Sequence, residues 1–334
     1  MAVKKMDGHR HVHFEEAMTA ASKLDPVKSI NIYPSGVDER SEEINRKKAV
    51  EWSRKMSDFS ENIADLKAAG MDMGILQPTQ TMFFYWAESA AAAELARMVN
   101  ENTAKGVSEN PDHFLGLATL PLQDVDLAIK ELTYAVQELG LKGVVTGSNV
   151  NGHGFDEDQF QAFFEKVEAF DVPIFIHPNN PAGTERVGYY YLANFLAYPL
   201  ESAVTAAQLV FGGVLDRYPN LKICLSHAGG VLPFLLGRLE HGQSVRPEAQ
   251  ERCKHPFSYY LKNFYVDTIT FRADTLRFVL EIMPEGHVFM GTDYPYDMAD
   301  TDPVGSVKAA VKDEDLQNKI FGENLSQVMG LGSL

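Results

Sequence analysis

Four widely separated pieces of this chain carry side chains able to bind one metal ion: His9-Arg10-His11, His177-Pro178, Ser226-His227-Ala228-Gly229-Gly230 and Gly291-Thr292-Asp293-Tyr294-Pro295. Each stands at the end of a short apolar run that reads as a strand. Alternate residues of a strand share a face, so His9 and His11 can present two imidazoles to the same ion. Imidazole plus carboxylate is a borderline donor set suited to zinc, manganese or iron. Taken singly, each piece is a weak signal. His-x-His is common, and a histidine at a strand end is more often a hydrogen-bonded structural residue than a ligand. His13 has the same strand parity as His9 and His11, but the chain is expected to have left the barrel there, so it reads as a loop residue. Asp7 reads either as a partner behind the ligands or as barrel packing.

The elements that must position these residues follow from the hydrophobic pattern. Strand-like runs cover Val3 to His11, Met71 to Gln77, Phe114 to Leu120, Leu141 to Thr146, Val172 to His177, Leu221 to His227, Asn263 to Ile269 and His287 to Thr292. Helix-like segments alternate with them. From Asp124 to Leu139 the apolar residues Val125, Leu127, Ile129, Leu132, Val136 and Leu139 recur at roughly helical spacing, and Asp156 to Phe170 repeats the pattern. Eight strands alternating with crossover helices predict an α/β fold, a closed (β/α)8 TIM barrel with a parallel sheet. Pro121, Pro178 and Gly229-Gly230 fall directly after strands, as βα loops require. The working residues of such a barrel project from the carboxyl ends of the strands. All four pieces are expected on that one face, with His227 on strand six and Asp293 on strand eight. Such a coincidence favours a metal site over four unrelated structural histidines and acids.

One domain over residues 1–334 is expected, interrupted after strand one by residues 14–60. That stretch carries Pro26, Pro34, Gly36 and the charge-rich run Asp38 to Lys48, and is read as a small cap over the barrel mouth whose charges form a solvated helix face. A second loop, Pro178 to about Leu192, holds Asn179, Asn180, Gly183 and the tyrosines 189 to 191. A chain of 334 residues, 45% hydrophobic, can bury a large core. The net charge of -16, with no basic stripe, argues against nucleic acid as a partner. Two cysteines, Cys224 and Cys253, make no disulfide framework, and no apolar run would serve as a signal peptide or cross a bilayer, so a soluble, cytoplasmic protein is expected. Phosphate-loop, dinucleotide-loop and nucleophile-elbow patterns are absent, and His153, His241, His255 and His287 read as structural or surface residues.

These stretches, together with Met82 to Ala87, Gly116 to Pro121, Gly237 to Gly242 and Ser244 to Pro247, resemble the amidohydrolase superfamily, in particular its 2-amino-3-carboxymuconate-6-semialdehyde decarboxylase branch. The likeness covers nearly the whole barrel outside the insertion. It implies that His9, His11, His177 and Asp293 are the metal ligands, zinc being the usual ion and manganese the alternative, and that His227 is the acid/base beside the bound water. Arg238 resembles the arginine that family members place in a neighbouring subunit's site to hold a substrate carboxylate, which implies a homodimer or higher homo-oligomer; a helix-surface salt bridge is the competing reading. Tyr85 and Trp86 resemble pocket wall, where by themselves they would read as core aromatics.

The departures touch the substrate side. Asn62 falls where the branch carries a second carboxylate-binding arginine, with Arg54 as a substitute. Asn179 replaces the tryptophan common after His-Pro and is taken as a pocket residue. The resemblance therefore implies metal-dependent C–C bond cleavage in aromatic-compound degradation, first a non-oxidative decarboxylation of a carboxylated aromatic or muconate-type acid, with Asp293 as a second proton carrier. The same parts serve a C–C hydrolase, in which a metal-activated water attacks the ketone of a ring-fission dienoate. Amide or lactone hydrolysis ranks below both. A non-catalytic metal barrel fits less well, because structural zinc sites are usually closed by cysteine-rich sets.

Overall fold

The computed structural model describes residues 4–29, 38–183 and 186–332. Eight parallel strands appear where the apolar runs place them: β1 Met6–Val12, β2 Met73–Pro78, β3 Phe114–Gly116, β4 Val144–Gly147, β5 Ile174–His177, β6 Ile223–Leu225, β7 Phe264–Asp267 and β8 Val288–Phe289. Backbone pairing runs β1-β2-β3 and β4-β5-β6-β7-β8. Two seams join these runs. Ala118 N donates to Gly143 O at 2.9 Å and Val145 N to Ala118 O at 2.8 Å, linking β3 to β4; Gly8 N donates to Met290 O at 2.8 Å and His11 N to Tyr294 O at 2.9 Å, linking the end of β8 back to β1. The ring is a (β/α)8 barrel.

Outside it lie α1 Glu15–Leu24, α2 Glu39–Ser57, α3 Phe59–Ala68, α4 Ser89–Glu109, α5 Val125–Gln137, α6 Gln161–Phe170, α7 Tyr198–Phe211, α8 Val214–Arg217, α9 Leu232–Val245, α10 Ala273–Ile282, α11 Pro303–Ala310, α12 Glu314–Asn318 and α13 Asn324–Val328. The helix read from Asp124 to Leu139 starts one residue later because Asp124 is its cap, its carboxylate accepting from Leu127 N at 3.1 Å. Phe114, Phe160, Phe163, Phe164, Phe257 and Phe264 are fully buried between strands and helices, and each contributes about 1.5–3 kcal/mol by leaving water. Among the described residues no helix is long and apolar enough to cross a membrane.

Two boundaries differ from expectation in a way that matters for the site. β6 stops at Leu225 and β8 at Phe289, so His227 and Asp293 belong to turns beyond the ladder and not to strands six and eight themselves. Both residues take positive φ, +57° and +66°, which a strand does not accommodate. Gly291 shows why the chain must turn so tightly: a Cβ there would lie 2.9 Å from the Cβ of Asp267 and 3.0 Å from that of His9.

The segment between β1 and β2 contains α1, α2 and α3 and runs on to Ala68, beyond the expected end near Ser60; residues 30–37 lie outside the described residues. Of α2 only Met56 is buried, in keeping with a solvated charged face. It leans on the loop after β8, with the Trp52 ring 5.3 Å from that of Tyr296 and Lys48 Nζ 3.4 Å from Asp297 Oδ2.

Candidate metal centre

His9 and His11 project from β1, which is buried along its whole length, and His177 is the last residue of β5. The turn after β6 brings His227, and the turn after β8 brings Asp293. The rings of His9, His11 and His177 lie 5.1–5.3 Å apart, centroid to centroid, and His227 is 5.1 Å from His177. One donor atom from each of His9, His11, His177 and Asp293 lies within 4.8 Å of the others, and all four residues are buried.

Asp293 faces two ways. Its Oδ1 is 3.0 Å from His11 Nε2 and 3.5 Å from His9 Nε2, while Oδ2 is 3.6 Å from His227 Nε2. The His227 side chain is 18% exposed against 1–2% for His9 and His11, so it is the imidazole that opens toward solvent. His177 Nδ1 lies 3.0 Å from the Pro178 carbonyl, and the Gln80 amide nitrogen approaches the same ring, 2.9 Å from Nδ1 and 3.2 Å from Nε2.

The donor set fits a divalent ion. His9 Nε2 is buried beside Asp293 with no hydrogen-bond partner among the described residues, a costly state for a polar atom unless something binds it. Burial, reinforced by the neighbouring imidazoles, holds the His177 pKa well below its ordinary value; burial also lowers that of His11. Neutral imidazole is the form that ligates. Burial opposes a charge on His9 as well, but the Asp267 hydrogen bond and Asp293 raise its pKa above normal, so the surroundings of the cluster draw positive charge. Burial would raise the Asp293 carboxyl, yet hydrogen bonds with His11 and His227 hold it far below the usual carboxylate range.

The other expected residues sort into two groups. A cavity of about 210 Å³ is lined by Gln80, Phe84, Tyr85, Trp86, Asn151 and Asn179, with others, and adjoins the metal cluster through Gln80, whose Nε2 is 2.9 Å from His177 Nδ1. Tyr85 is committed: its hydroxyl accepts from Gly147 N at 3.1 Å, and burial raises its pKa. Asn179 Oδ1 accepts from Ser148 Oγ at 3.1 Å and Asn149 N at 3.3 Å. Arg238 lies apart from this cavity, exposed on α9.

Neither Asn62 nor Arg54 lines the cavity, so Arg54 does not stand in there for the carboxylate-binding arginine that Asn62 replaces. Asn62 is buried and accepts from Arg10 Nε at 2.5 Å and, through its carbonyl, from Arg10 Nη2 at 2.7 Å. Arg10 is itself buried, stacked 3.6 Å from the Tyr294 ring and paired with Asp7 at 3.2 Å. Arg54 pairs with Glu61 on the surface. Asp7 accepts from Thr292 Oγ1 at 2.6 Å and Thr292 N at 3.0 Å, so it packs between β1 and the turn of Asp293 without touching the ligand atoms. His13 is in the loop after β1, 3.7 Å from Glu15. His153 pairs with Glu157, and His287 Nδ1 is 2.9 Å from the Phe264 carbonyl.

Two buried carboxylates escaped the sequence reading. Asp267 ends β7 and lies 2.8 Å from His9 Nδ1; its signal was present, since an acid at the carboxyl end of a barrel strand is a candidate by position alone. Glu201, on α7, ties the loops after β4 and β5 together by accepting from Asn149 Nδ2 at 3.0 Å and Ala182 N at 3.2 Å. Nothing in its helical sequence context marks it.

The amidohydrolase family model Amidohydro_2 matches residues 6–324. The 2-amino-3-carboxymuconate-6-semialdehyde decarboxylase of Dictyostelium discoideum is 37% identical over 273 residues, covering 80% of this chain and 76% of that one. A gamma-resorcylate decarboxylase of a Polaromonas species is 34% identical over 64% of this chain and 70% of its own. Among solved structures, 5-carboxyvanillate decarboxylase from Sphingomonas paucimobilis superposes with a TM-score of 0.85 at 27% identity, covering 99% of this chain and 100% of that one. A dihydroxybenzoic acid decarboxylase from Polaromonas, solved with bound manganese and the inhibitor 2-nitroresorcinol, gives 0.81 at 26% identity, covering 99% and 97%. With its barrel, its His/Asp cluster and these matches, the chain belongs to the amidohydrolase family, on the branch that includes 2-amino-3-carboxymuconate-6-semialdehyde decarboxylase.

Proposed function

We propose that this protein is a metal-dependent, non-oxidative decarboxylase of a carboxylated aromatic or muconate-type acid. The observation that carries the reading is the two-sided placement of Asp293, one carboxylate oxygen among the ligand imidazoles and the other toward His227. His9, His11, His177 and Asp293 hold the ion, for which zinc is our assignment on the three-imidazole, one-carboxylate set; the manganese bound in one structural neighbour makes that ion the alternative to test by metal analysis. When bound, the ion supplies a fixed positive charge that orients and polarises an anionic substrate.

The chain's own residues do the rest. Phe84 and Trp86 flank the substrate's apolar face, and Asn179 and Gln80 offer amide contacts at its edge. His227 donates a proton to the carbon bearing the carboxylate, with Asp293 Oδ2 receiving and relaying protons beside it. The C–C bond then breaks, carbon dioxide leaves, and the electron pair of that bond returns to the conjugated system as the new C–H bond is retained. Proton transfer by a placed side chain contributes roughly 10²–10⁴-fold.

Helix α2 acts as a cap at the mouth, as the contact of Trp52 with Tyr296 supports. A second copy of the chain covers α7 and α9: Leu200, Val204 and Phe234 are exposed there, Phe234 to 80%, and Arg238 is exposed on the same helix as Phe234, the residue we assign to a neighbour's substrate carboxylate. The two cysteines are free thiols, in keeping with a reducing, cytoplasmic setting. The deciding experiment supplies metal-loaded protein with carboxylated phenols and ring-fission dienoates and counts carbon dioxide against substrate loss. Stoichiometric carbon dioxide is expected. Substrate loss with two acid products and no carbon dioxide would assign the protein to C–C hydrolysis instead.

A further inference from the structure

We propose that Asp267 is a positioning residue that sets His9 and His227 with one buried carboxylate, and so couples the metal field to the proton donor. The inference rests on the reading of the site given above. Asp267 is 1% exposed and uses both oxygens. Its Oδ2 lies 2.8 Å from His9 Nδ1 and accepts from His227 N at 2.9 Å. Its Oδ1 accepts from Ala228 N at 2.8 Å and from Ile269 N at 3.0 Å.

Each contact has a separate consequence. Accepting the Nδ1 proton of His9 fixes its tautomer and leaves Nε2 for the cluster, the arrangement by which an outer carboxylate orients a ligating imidazole. The contacts to residues 227 and 228 act on backbone. His227 and Ala228 stand at φ +57° and +55°, two successive non-glycine residues in the left-handed region, which is unfavourable for L-residues. β6 has ended at Leu225, so the strand ladder does not hold this turn. The Asp267 carboxylate gathers the two amides instead. Gly230 lets the turn close, since a Cβ there would meet Pro199 O at 2.0 Å. The Asp293 turn is packed on the same residue, through the close approach of Gly291 to the Asp267 Cβ. Asp267 and Asp293 therefore bracket His9 and His227 from opposite sides, Asp293 at 3.5 Å and 3.6 Å from their Nε2 atoms.

The test uses the full-length protein with Asp267→Asn, Asp267→Glu and His227→Ala, singly and combined. Asparagine keeps one acceptor but turns an NH2 group on donors, so Zn2+ affinity, read by competition with a chromogenic chelator and without any turnover, is expected to fall about 10–100-fold. At saturating metal, kcat should fall roughly 10²-fold with KM changed less than about threefold, and the same substitution placed on His227→Ala should lower kcat by less than about threefold, because its effect acts through that imidazole. If Asp267→Asn does not fold, Asp267→Glu, which keeps both acceptors but displaces them, is read in the same two ways. Zn2+ affinity within twofold of the parent overturns the proposal, as does an equal kcat loss with and without His227. A parent protein that releases no carbon dioxide from any substrate would sink the decarboxylase reading, while the metal-affinity measurement would still decide the role of Asp267.

Discussion

The floor of the barrel mouth and its side wall are built on different terms. On the floor, His9, His11, His177, Asp267 and Asp293 are all at most 6% exposed, and each carboxylate is held by more than one partner. The wall formed by Gln80, Trp86, Asn151, Asn179 and Asn180 is partly open and mostly neutral amide and aromatic. A buried charge cluster tolerates little change, because removing one partner leaves the others uncompensated; a half-open amide wall can exchange members and still be solvated.

The largest test of that contrast is Asp293→Ala on the floor. Metal content should fall below stoichiometric and decarboxylation should drop to the uncatalysed rate, seen by elemental analysis together with the carbon dioxide assay; full metal with full activity would dissolve the site. His227→Ala comes next. It should keep its metal while kcat falls roughly 10²–10⁴-fold, and a metal-free variant would make His227 a ligand. Asn62→Ala lies beneath the floor and tests its support: Arg10 loses a buried acceptor, so the melting midpoint should shift by the equivalent of about 1.5–3 kcal/mol with metal content intact. On the wall, Asn179→Ala should lower kcat/KM by about tenfold, or roughly 1.4 kcal/mol, through the loops whose Ser148 and Asn149 it anchors, and leave metal content unchanged. Arg54→Ala, on the surface beyond the wall, should change stability by no more than about 0.5 kcal/mol and turnover not at all; a raised KM would return Arg54 to the substrate.

Legibility followed the same division. His9 and His11 were readable because a strand imposes a two-residue period on side chains, and His177 because it ends an apolar run. The helix after Asp124 was readable from its apolar spacing, while the structure makes Asp124 its cap. What Asn62 does instead of the missing arginine was not legible, because its role depends on Arg10, which the sequence shows only as the residue between two histidines; in the structure that guanidinium stacks on Tyr294 and donates to the Asn62 amide oxygen. Glu201 was invisible because its partners, Ser148, Asn149 and Ala182, lie in loops from two other strands.

By itself the sequence determined the eight strands, their alternation with helices and the candidate donor residues, since these depend on local periodicity and on side-chain chemistry. Only the tertiary structure decided that His227 and Asp293 sit in left-handed turns past their strands, that Asp267 reaches both His9 and the His227 turn, and that Asn62 serves the interior. Those outcomes depend on which carboxylate meets which amide across hundreds of residues, and a buried charge takes its partners from whatever the closed barrel brings within hydrogen-bond reach.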